Sequence, residues 1–179
     1  ETVVIHTEVS TGELDVAIDK ATATADRDVI VATPVISVNN LNQDQVQFRF
    51  DDMYPGATGK AVIKIKNVGT VKVKVDSPIV AFGDEDAGNW NGLFDFDDVV
   101  FTPSLNGVDG TPIVLTRQTL LGETIAFTFD ESNPVYIEPG QSATFTLNVK
   151  MLESVSGEEN LDGIWFTFTP SFKQYNAPN

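Results

Sequence analysis

The chain lacks cysteine and has a single histidine, His6, and both shortages limit its chemistry. Without cysteine there is no disulfide, no thiolate nucleophile and no thiolate metal site. One histidine is too few for a His-Glu-x-x-His zinc site, and no Gly-x-Ser-x-Gly nucleophile elbow is present. The sequence therefore predicts a protein that is not an enzyme.

Positive charge is also scarce, with 11 Lys and Arg against 26 Asp and Glu and a formal net charge of −15. An acidic surface repels phosphate backbones and anionic lipids, so neither nucleic acid nor an anionic membrane is an expected partner. The same charge favours hard cations such as Ca²⁺. No apolar run approaches the length of a membrane-spanning helix.

The length of 179 residues fits one domain. Because the sequence begins with Glu1 rather than Met, we expect a processed chain whose signal peptide has been removed, and an extracellular location.

Alternating Val, Ile, Phe and Thr, interrupted by frequent turn residues, indicates many short strands. Tyr54-Pro-Gly56 and Glu138-Pro-Gly140 suit type II turns, and Asn106-Gly107 suits a hairpin turn. A turn of helix at 117–123 and a short polar helix at 152–159 are the only helical expectations. The predicted fold is an all-β, jelly-roll-like β-sandwich with loop insertions near 83–98 and 103–133. Strands are predicted near 2–9, 13–19, 28–32, 34–38, 45–51, 60–67, 70–82, 98–102, 112–116, 124–129, 134–137, 142–151 and 163–173.

Lysine recurs at alternate positions in two successive predicted strands. Lys64 and Lys66 share one face of the first strand, and Lys72 and Lys74 share one face of the second. This pattern predicts a hairpin with a lysine-bearing solvent face and an apolar face toward the core.

The N-terminal segment 1–9 is extended in character and almost free of turn residues, and Ser10-Thr-Gly12 ends it. A long apolar strand at a chain terminus invites aggregation unless it pairs with a sheet. It pairs either within its own subunit or with the sheet edge of a neighbouring subunit. We divide the chain into a donor strand at 1–10 and a sandwich domain at 11–179. The donor-strand residues are Thr2, Val3, Val4, Ile5, His6, Thr7 and Val9.

Three segments resemble one known family. They are Ser10-Thr-Gly-Glu-Leu-Asp-Val16, the pair Met53-Tyr-Pro-Gly56 and Ala61-Val-Ile-Lys-Ile-Lys-Asn-Val-Gly69, and the C-terminal strand with Phe166, Phe168, Gln174 and Asn176. Together they cover about a quarter of the chain. The order and spacing are similar to those of TasA and camelysin-like proteins, which carry a SipW-type signal, and of the related archaeal bundling pilins.

This resemblance implies a jelly-roll subunit that polymerises by donor-strand complementation into an extracellular biofilm-matrix fibre or cell-surface filament. Its partner would be a second copy of the chain, and residues 1–9 stand at the donor-strand position. Camelysin is classed as a metallopeptidase, but His6 is the only histidine here, so that activity is not expected of this chain.

A subunit that needs a donor strand should expose an apolar groove between strong strands. Two C-terminal strands are the candidates, because both are long and rich in large apolar residues. The groove candidates are Phe145, Leu147, Val149, Trp165, Phe166 and Phe168.

The segment 83–98 concentrates carboxylates and amides. Several of these residues fall at ligand places of an EF-hand-like loop, but the first place is Ala87, which cannot ligate. Mutual repulsion of the carboxylates would be relieved by a bound cation. A structural Ca²⁺ site and a solvated acidic turn are both open. The calcium ligands would be Asp84, Asp86, Asn89, Asn91, the backbone carbonyl of Leu93, Asp95 and Asp98.

The first functional hypothesis is a self-assembling subunit of an extracellular pilus or matrix fibre. The alternative is a monomeric, calcium-stabilised surface adhesin or carbohydrate-binding sandwich. A hydrolase is the third and weakest, since carboxylates are plentiful but the exposed aromatics of a glycosidase cleft are few.

Overall fold

The computed structural model describes residues 12–83, 93–97, 99–119, 124–154 and 163–175. The elements in these segments are strands. Their bounds are β1 Val16–Ala25, β2 Ile30–Val31, β3 Val35–Val38, β4 Asp44–Asp51, β5 Thr58–Asn67, β6 Val73–Phe82, β7 Phe94–Phe96, β8 Val100–Leu105, β9 Val108–Asp109, β10 Ile113–Val114, β11 Thr116–Thr119, β12 Thr124–Thr128, β13 Tyr136–Ile137, β14 Ser142–Met151 and β15 Gly163–Gln174.

Two antiparallel sheets face each other. The first has the order β1-β5-β14-β8-β10, with β7 beside β14 and β9 beside β8. The second has the order β11-β12-β6-β15-β4-β2, with β13 beside β6 and β3 beside β4. The predicted all-β sandwich is therefore confirmed.

The core lies between the sheets and is built by strict alternation. Along β14, every second side chain is buried and its neighbours are half-buried, as a strand with one covered face requires. Aromatic rings join the sheets: Phe145 contacts Phe168 at 5.1 Å between centroids, and Phe96 meets Phe166 edge-to-face at 5.1 Å. Contacts of this kind add to the free energy gained from burying the rings themselves.

Turn chemistry follows the sequence closely. Gly56 and Gly140 have φ of 85° and 80°, the left-handed conformation that a type II turn requires after proline. Asn106 and Gly107 have φ of 53° and 81°, and they close the two-residue hairpin between β8 and β9. The turns predicted at these three places are confirmed.

Two local predictions are wrong. The strands β5 and β6 lie in different sheets, so the segment between them is an arch across the core rather than a hairpin turn. Alternation alone gives the facing of each strand but not its partner. The expected helical turn at 117–123 is also wrong in its first part, since Thr116–Thr119 forms β11 against β12, while residues 120–123 lie outside the described residues.

Asn67 is a buried polar side chain at the end of β5, with no solvent exposure. Its amide nitrogen donates to the backbone oxygens of Val71 and Ile137, both at 2.9 Å, and its side-chain oxygen accepts from the Gly69 N–H at 3.1 Å. One side chain thus holds the arch after β5 against β13. This is the physical role of the Asn-x-Gly motif.

Replacing Asn67 by Ala should lower the free energy of unfolding by about 2–4 kcal/mol, because two backbone carbonyls lose their donor and one of these bonds is buried. Urea denaturation followed by fluorescence measures the change. Asn40→Ala, on an exposed turn, is the matched control and should have little effect. Equal stability of the two variants would contradict the role assigned to Asn67.

Candidate functional site

One lateral side of the sandwich is open. There β1 forms the edge of the first sheet, while β2 and β3 run along the outer side of β4 in the second. Contacts of β1 with β2, β3 and β4 place these two edges beside each other. Among the described strands, β1 pairs with β5 alone, and β2 and β3 pair with β4 alone. We call the surface formed by β1, β2 and β3 the open side.

The inner face of β3 is apolar and uncovered. Ile36 lies opposite Val46, which is completely buried, and Val38 lies opposite Asp44. Directly paired residues on neighbouring strands point to the same face, so Ile36 and Val38 point inward. They nevertheless remain 45% and 61% exposed. The first sheet therefore ends before it covers β3.

The backbone of β3 presents free hydrogen-bonding groups. The backbone N–H of Asn39 donates to the backbone oxygen of Gln43 at 2.9 Å, so the N–H groups of Ser37 and Val35 also point toward β4. The backbone N–H groups of Ile36 and Val38 consequently point away from β4, in the plane of the sheet, although their side chains face inward. An edge of this kind is a template for another strand unless charges or prolines protect it.

Charge does not protect this edge. Residues 29–43 contain no Asp, Glu, Lys or Arg, although the chain as a whole carries a net charge of −15. Apolar side chains are exposed along the same stretch, and they are Ile30, Val35, Ile36, Val38 and Leu41.

The edge of β1 differs from that of β3. The Ile18 N–H donates to the Asp44 carboxylate at 3.1 Å, which closes the edge at that point. Beyond a register shift between Ile18 and Lys20, the inward side chains are Ala21, Ala23 and Ala25, which pack only partly against the core. Alanine is too short to reach across the uncovered face of β3. In the far half, from Lys20 to Ala25, no other strand among the described residues pairs with this edge of β1.

The described chain enters the sandwich at the arch after β5. Glu13 and Thr70 exchange two hydrogen bonds, from the Glu13 N–H to the Thr70 hydroxyl and from the Thr70 N–H to the Glu13 oxygen. The backbone oxygen of Asp15 accepts hydrogen bonds from the backbone N–H groups of Val68 and Gly69. These bonds hold the entry on the β5 side of β1, away from its free edge. The predicted donor-strand residues, including His6, lie outside the described residues.

A cleft of about 200 Å³ lies near residues 14–16, where β1 begins. The β3–β4 turn and β15 form its other walls. The cleft is lined by Leu14, Asp15, Val16, Asn42, Gln43, Asp44, Pro170 and Phe172.

The groove candidates lie in the closed interior instead. β14 has β5 on one side and β8 and β7 on the other, and β15 lies between β4 and β6. The strands β14 and β15 are thus paired on both sides along much of their lengths. Phe145, Leu147, Val149, Phe166 and Phe168 are buried core residues.

Trp165 occupies the opposite face of β15 from its neighbours. Because Phe166 and Phe168 point into the core, period-two alternation turns Trp165 outward, where its ring packs against Gly83 and is partly buried. Trp165 and Phe166 therefore cannot line one groove.

The calcium hypothesis falls mostly on residues 84–92 and 98, outside the described residues. Within the described part, the Asp95 carboxylate accepts a hydrogen bond from Arg117 at 2.6 Å. Across the described segments, no cluster of three His, Asp or Glu side chains forms a cation site. Calcium binding stays a prediction.

A second cleft, of about 110 Å³, lies beside Asp130, Asp76 and Lys173. Lys173 pairs with Asp76 at 3.0 Å. Hydrogen bonds from the Ser132 hydroxyl, the Asn133 amide and the Ser132 backbone lower the pKa of Asp130 below its usual value. The lowered pKa favours the ionised form of Asp130, and Asp76 is engaged with Lys173, which is unlike a poised general acid or base.

Comparisons with known proteins give little guidance. No protein-family model matches the chain, and no curated protein matches it. A solved structure with overall similarity is the KRT10-binding region domain of the pneumococcal serine rich repeat protein PsrP. It is 12% identical, with a TM-score of 0.42, and the alignment covers 88% of this chain and 90% of that one. Similarity this distant indicates neither a shared activity nor a shared partner.

No helix in the described segments is long and apolar enough to cross a membrane. The open side was missed from sequence, although a signal was present. A charge-free stretch of fifteen residues, 29–43, is conspicuous in so acidic a chain. The sequence alone does not show that β3 lies at the edge of a sheet, so it does not show that this stretch is an exposed edge.

If the segment 84–98 binds Ca²⁺, calorimetric titration of chelator-treated protein should give a binding heat that Asp95→Ala weakens, because one carboxylate ligand is lost. Arg117→Ala should strengthen binding, because it frees the Asp95 carboxylate. Absence of heat and of any stability change at millimolar Ca²⁺ would show a solvated acidic turn.

Proposed function

We propose that this chain is a non-catalytic, extracellular structural subunit that assembles by adding a strand of one copy to the open side of the next. The observation that carries the proposal is the exposed inner face of β3, where Ile36 and Val38 point inward and none of the described strands covers them. The proposed position for the added strand lies beside the far half of the β1 edge, in line with the first sheet.

A strand at this position would satisfy several groups together. It would cover the two apolar side chains of β3 and pair with the free backbone groups of β1. Each covered side chain of this size contributes about 1–2 kcal/mol when it leaves water. Main-chain hydrogen bonds supply affinity in strand addition, while alternate side chains fix the register.

The proposed occupant is the segment 2–9 of a second copy. Eight residues of strand span about 26 Å at roughly 3.3 Å per residue, which is enough to cover the far half of β1 from Lys20 to Ala25, about 20 Å long. One face of the segment carries Val3, Ile5 and Val9, and the alternate face carries Val4 and His6; the first of these suits an uncovered apolar face. Like residues 29–43, the stretch from Thr2 to Thr7 is free of Asp, Glu, Lys and Arg, so the contact avoids the repulsion between two acidic subunits.

The entry geometry favours a neighbouring copy over folding back within one chain. Residues 13–15 are bonded to the arch after β5, on the side of β1 opposite its free edge. A donor strand that continued from residues 13–15 along the axis of β1 would extend beyond its own subunit. Since the donor leaves one end and the acceptor edge lies along the side, repeated addition builds an open filament.

Removing residues 1–9 should abolish assembly, because the donor is lost, while the sandwich stays folded. Analytical ultracentrifugation of the native and shortened chains over a concentration series measures the change. The shortened chain should stay monomeric. Polymers of normal length from the shortened chain would contradict the proposal. A native chain that stays monomeric at every concentration would support the alternative, a monomeric adhesin or carbohydrate-binding module.

A synthetic peptide of residues 1–10 should raise the melting temperature of the shortened chain, because a ligand that binds only the folded state stabilises it. The control is the same peptide with Val3 and Ile5 replaced by Asn. If neither peptide changes the melting temperature at a large excess, the open side does not accept this segment.

Placing lysine on the inner face of β3 should block assembly without unfolding the monomer, because both positions are already exposed. The test variant is Ile36→Lys/Val38→Lys, and the control is Val114→Lys on β10, whose side chain is 58% exposed at the other lateral edge. Light scattering should show assembly lost in the first variant and kept in the second. Assembly by both variants would exclude β3 as the acceptor.

A further inference from the structure

The outer face of the first sheet is basic, although the chain is strongly acidic. On β5, the buried residues alternate with exposed lysines, and Lys60, Lys64 and Lys66 all point outward. Lys20 on β1 lies directly opposite Lys64 and points to the same face. We call these four lysines the lysine face.

Few acids balance this face. Asp19 approaches Lys64 at 3.5 Å. Lys20, Lys60 and Lys66 form no ion pair with any residue in the described segments. Like charges opposite each other on neighbouring strands are unfavourable, so Lys20 and Lys64 destabilise the free subunit slightly. A bound anionic partner would relieve that repulsion.

The lysines alternate with small polar side chains across the sheet. In the register between β5 and β14, Ser142 lies opposite Lys66, Thr144 opposite Lys64 and Asn148 opposite Lys60. All three are half-buried on the outer face of β14. The result is a flat grid of ammonium groups beside hydroxyl and amide groups.

We propose that the lysine face binds a linear acidic polysaccharide. Ammonium groups match the carboxylates of such a polymer, and the hydroxyl and amide groups of β14 match its sugar hydroxyls. Asp26 lies at one end of the face, where its carboxylate accepts two hydrogen bonds from Thr58. Acids farther than about 8 Å from the lysines act weakly, since salt at 0.15 M screens them.

Other anionic partners fit the face less well. The outward positions of β5 and β14 hold no aromatic residue on which nucleic-acid bases could stack. Val62 is the one apolar side chain among them, so the face lacks the anchors of a membrane-binding surface. The lysine face shares β1 with the open side, but it uses the outer face of that strand and not its edge, so the inference goes beyond the proposed function.

The test measures binding of the full chain to polygalacturonate by microscale thermophoresis, with a chelator present and neutral dextran as the control polymer. Lys60→Gln/Lys66→Gln should weaken binding by about threefold to tenfold, because both lysines are exposed and unpaired within the described residues. The charge-matched control Lys74→Gln/Lys173→Gln, on the second sheet, should bind as the native chain does. Salt should weaken native binding more steeply than binding of the first variant.

Three results would overturn the inference. They are no binding of the native chain to polygalacturonate at low salt, an equal loss in both double variants, and tighter binding to phosphatidylserine vesicles than to the polymer. The Ile36→Lys/Val38→Lys variant should bind polygalacturonate normally even where it fails to assemble. Failure of assembly and failure of polymer binding are thus separate observations.

Discussion

The sandwich depends on the buried Asn67 more than on any other polar group that the structure describes. Its amide ties the arch after β5 to β13 through two bonds of 2.9 Å, and its side-chain oxygen holds the Gly69 N–H. The same arch then accepts the entering chain, because Asp15 bonds to Val68 and Gly69. One side chain thereby fixes the crossing between sheets and the position of residues 13–15 against the arch.

Burial and charge together explain why assembly is assigned to the open side. The interior is closed by aromatic contacts between the sheets, and its central strands are paired along much of their lengths. Apolar side chains without a cover occur on β3, within a charge-free stretch of an otherwise acidic chain. Two subunits that each carry −15 can approach most easily through surfaces that carry no charge.

The sequence predicts what is local and periodic. The alternation along β14, the Pro-Gly turns at Gly56 and Gly140, and the hairpin at Asn106-Gly107 all follow from side-chain period and turn stereochemistry. Partner choice is not local, so a hairpin was expected where β5 and β6 cross between sheets. The groove candidates failed for the same reason: large apolar residues mark central strands as readily as a groove. Trp165 was grouped with Phe166 and Phe168 because all three are aromatic. Strand alternation would have placed Trp165 on the opposite face of β15 from the two phenylalanines.

The assembly proposed for the open side requires a strand that pairs with β1 and covers the inner face of β3. Hydrogen–deuterium exchange of the Ala21 and Ala23 amides, compared between dilute monomer and assembled protein, tests it most directly, because both amides lie on the far half of the β1 edge. Both should exchange more slowly after assembly, while amides of the β9–β10 edge are unchanged. Assembly without slower exchange at Ala21 and Ala23 would contradict it.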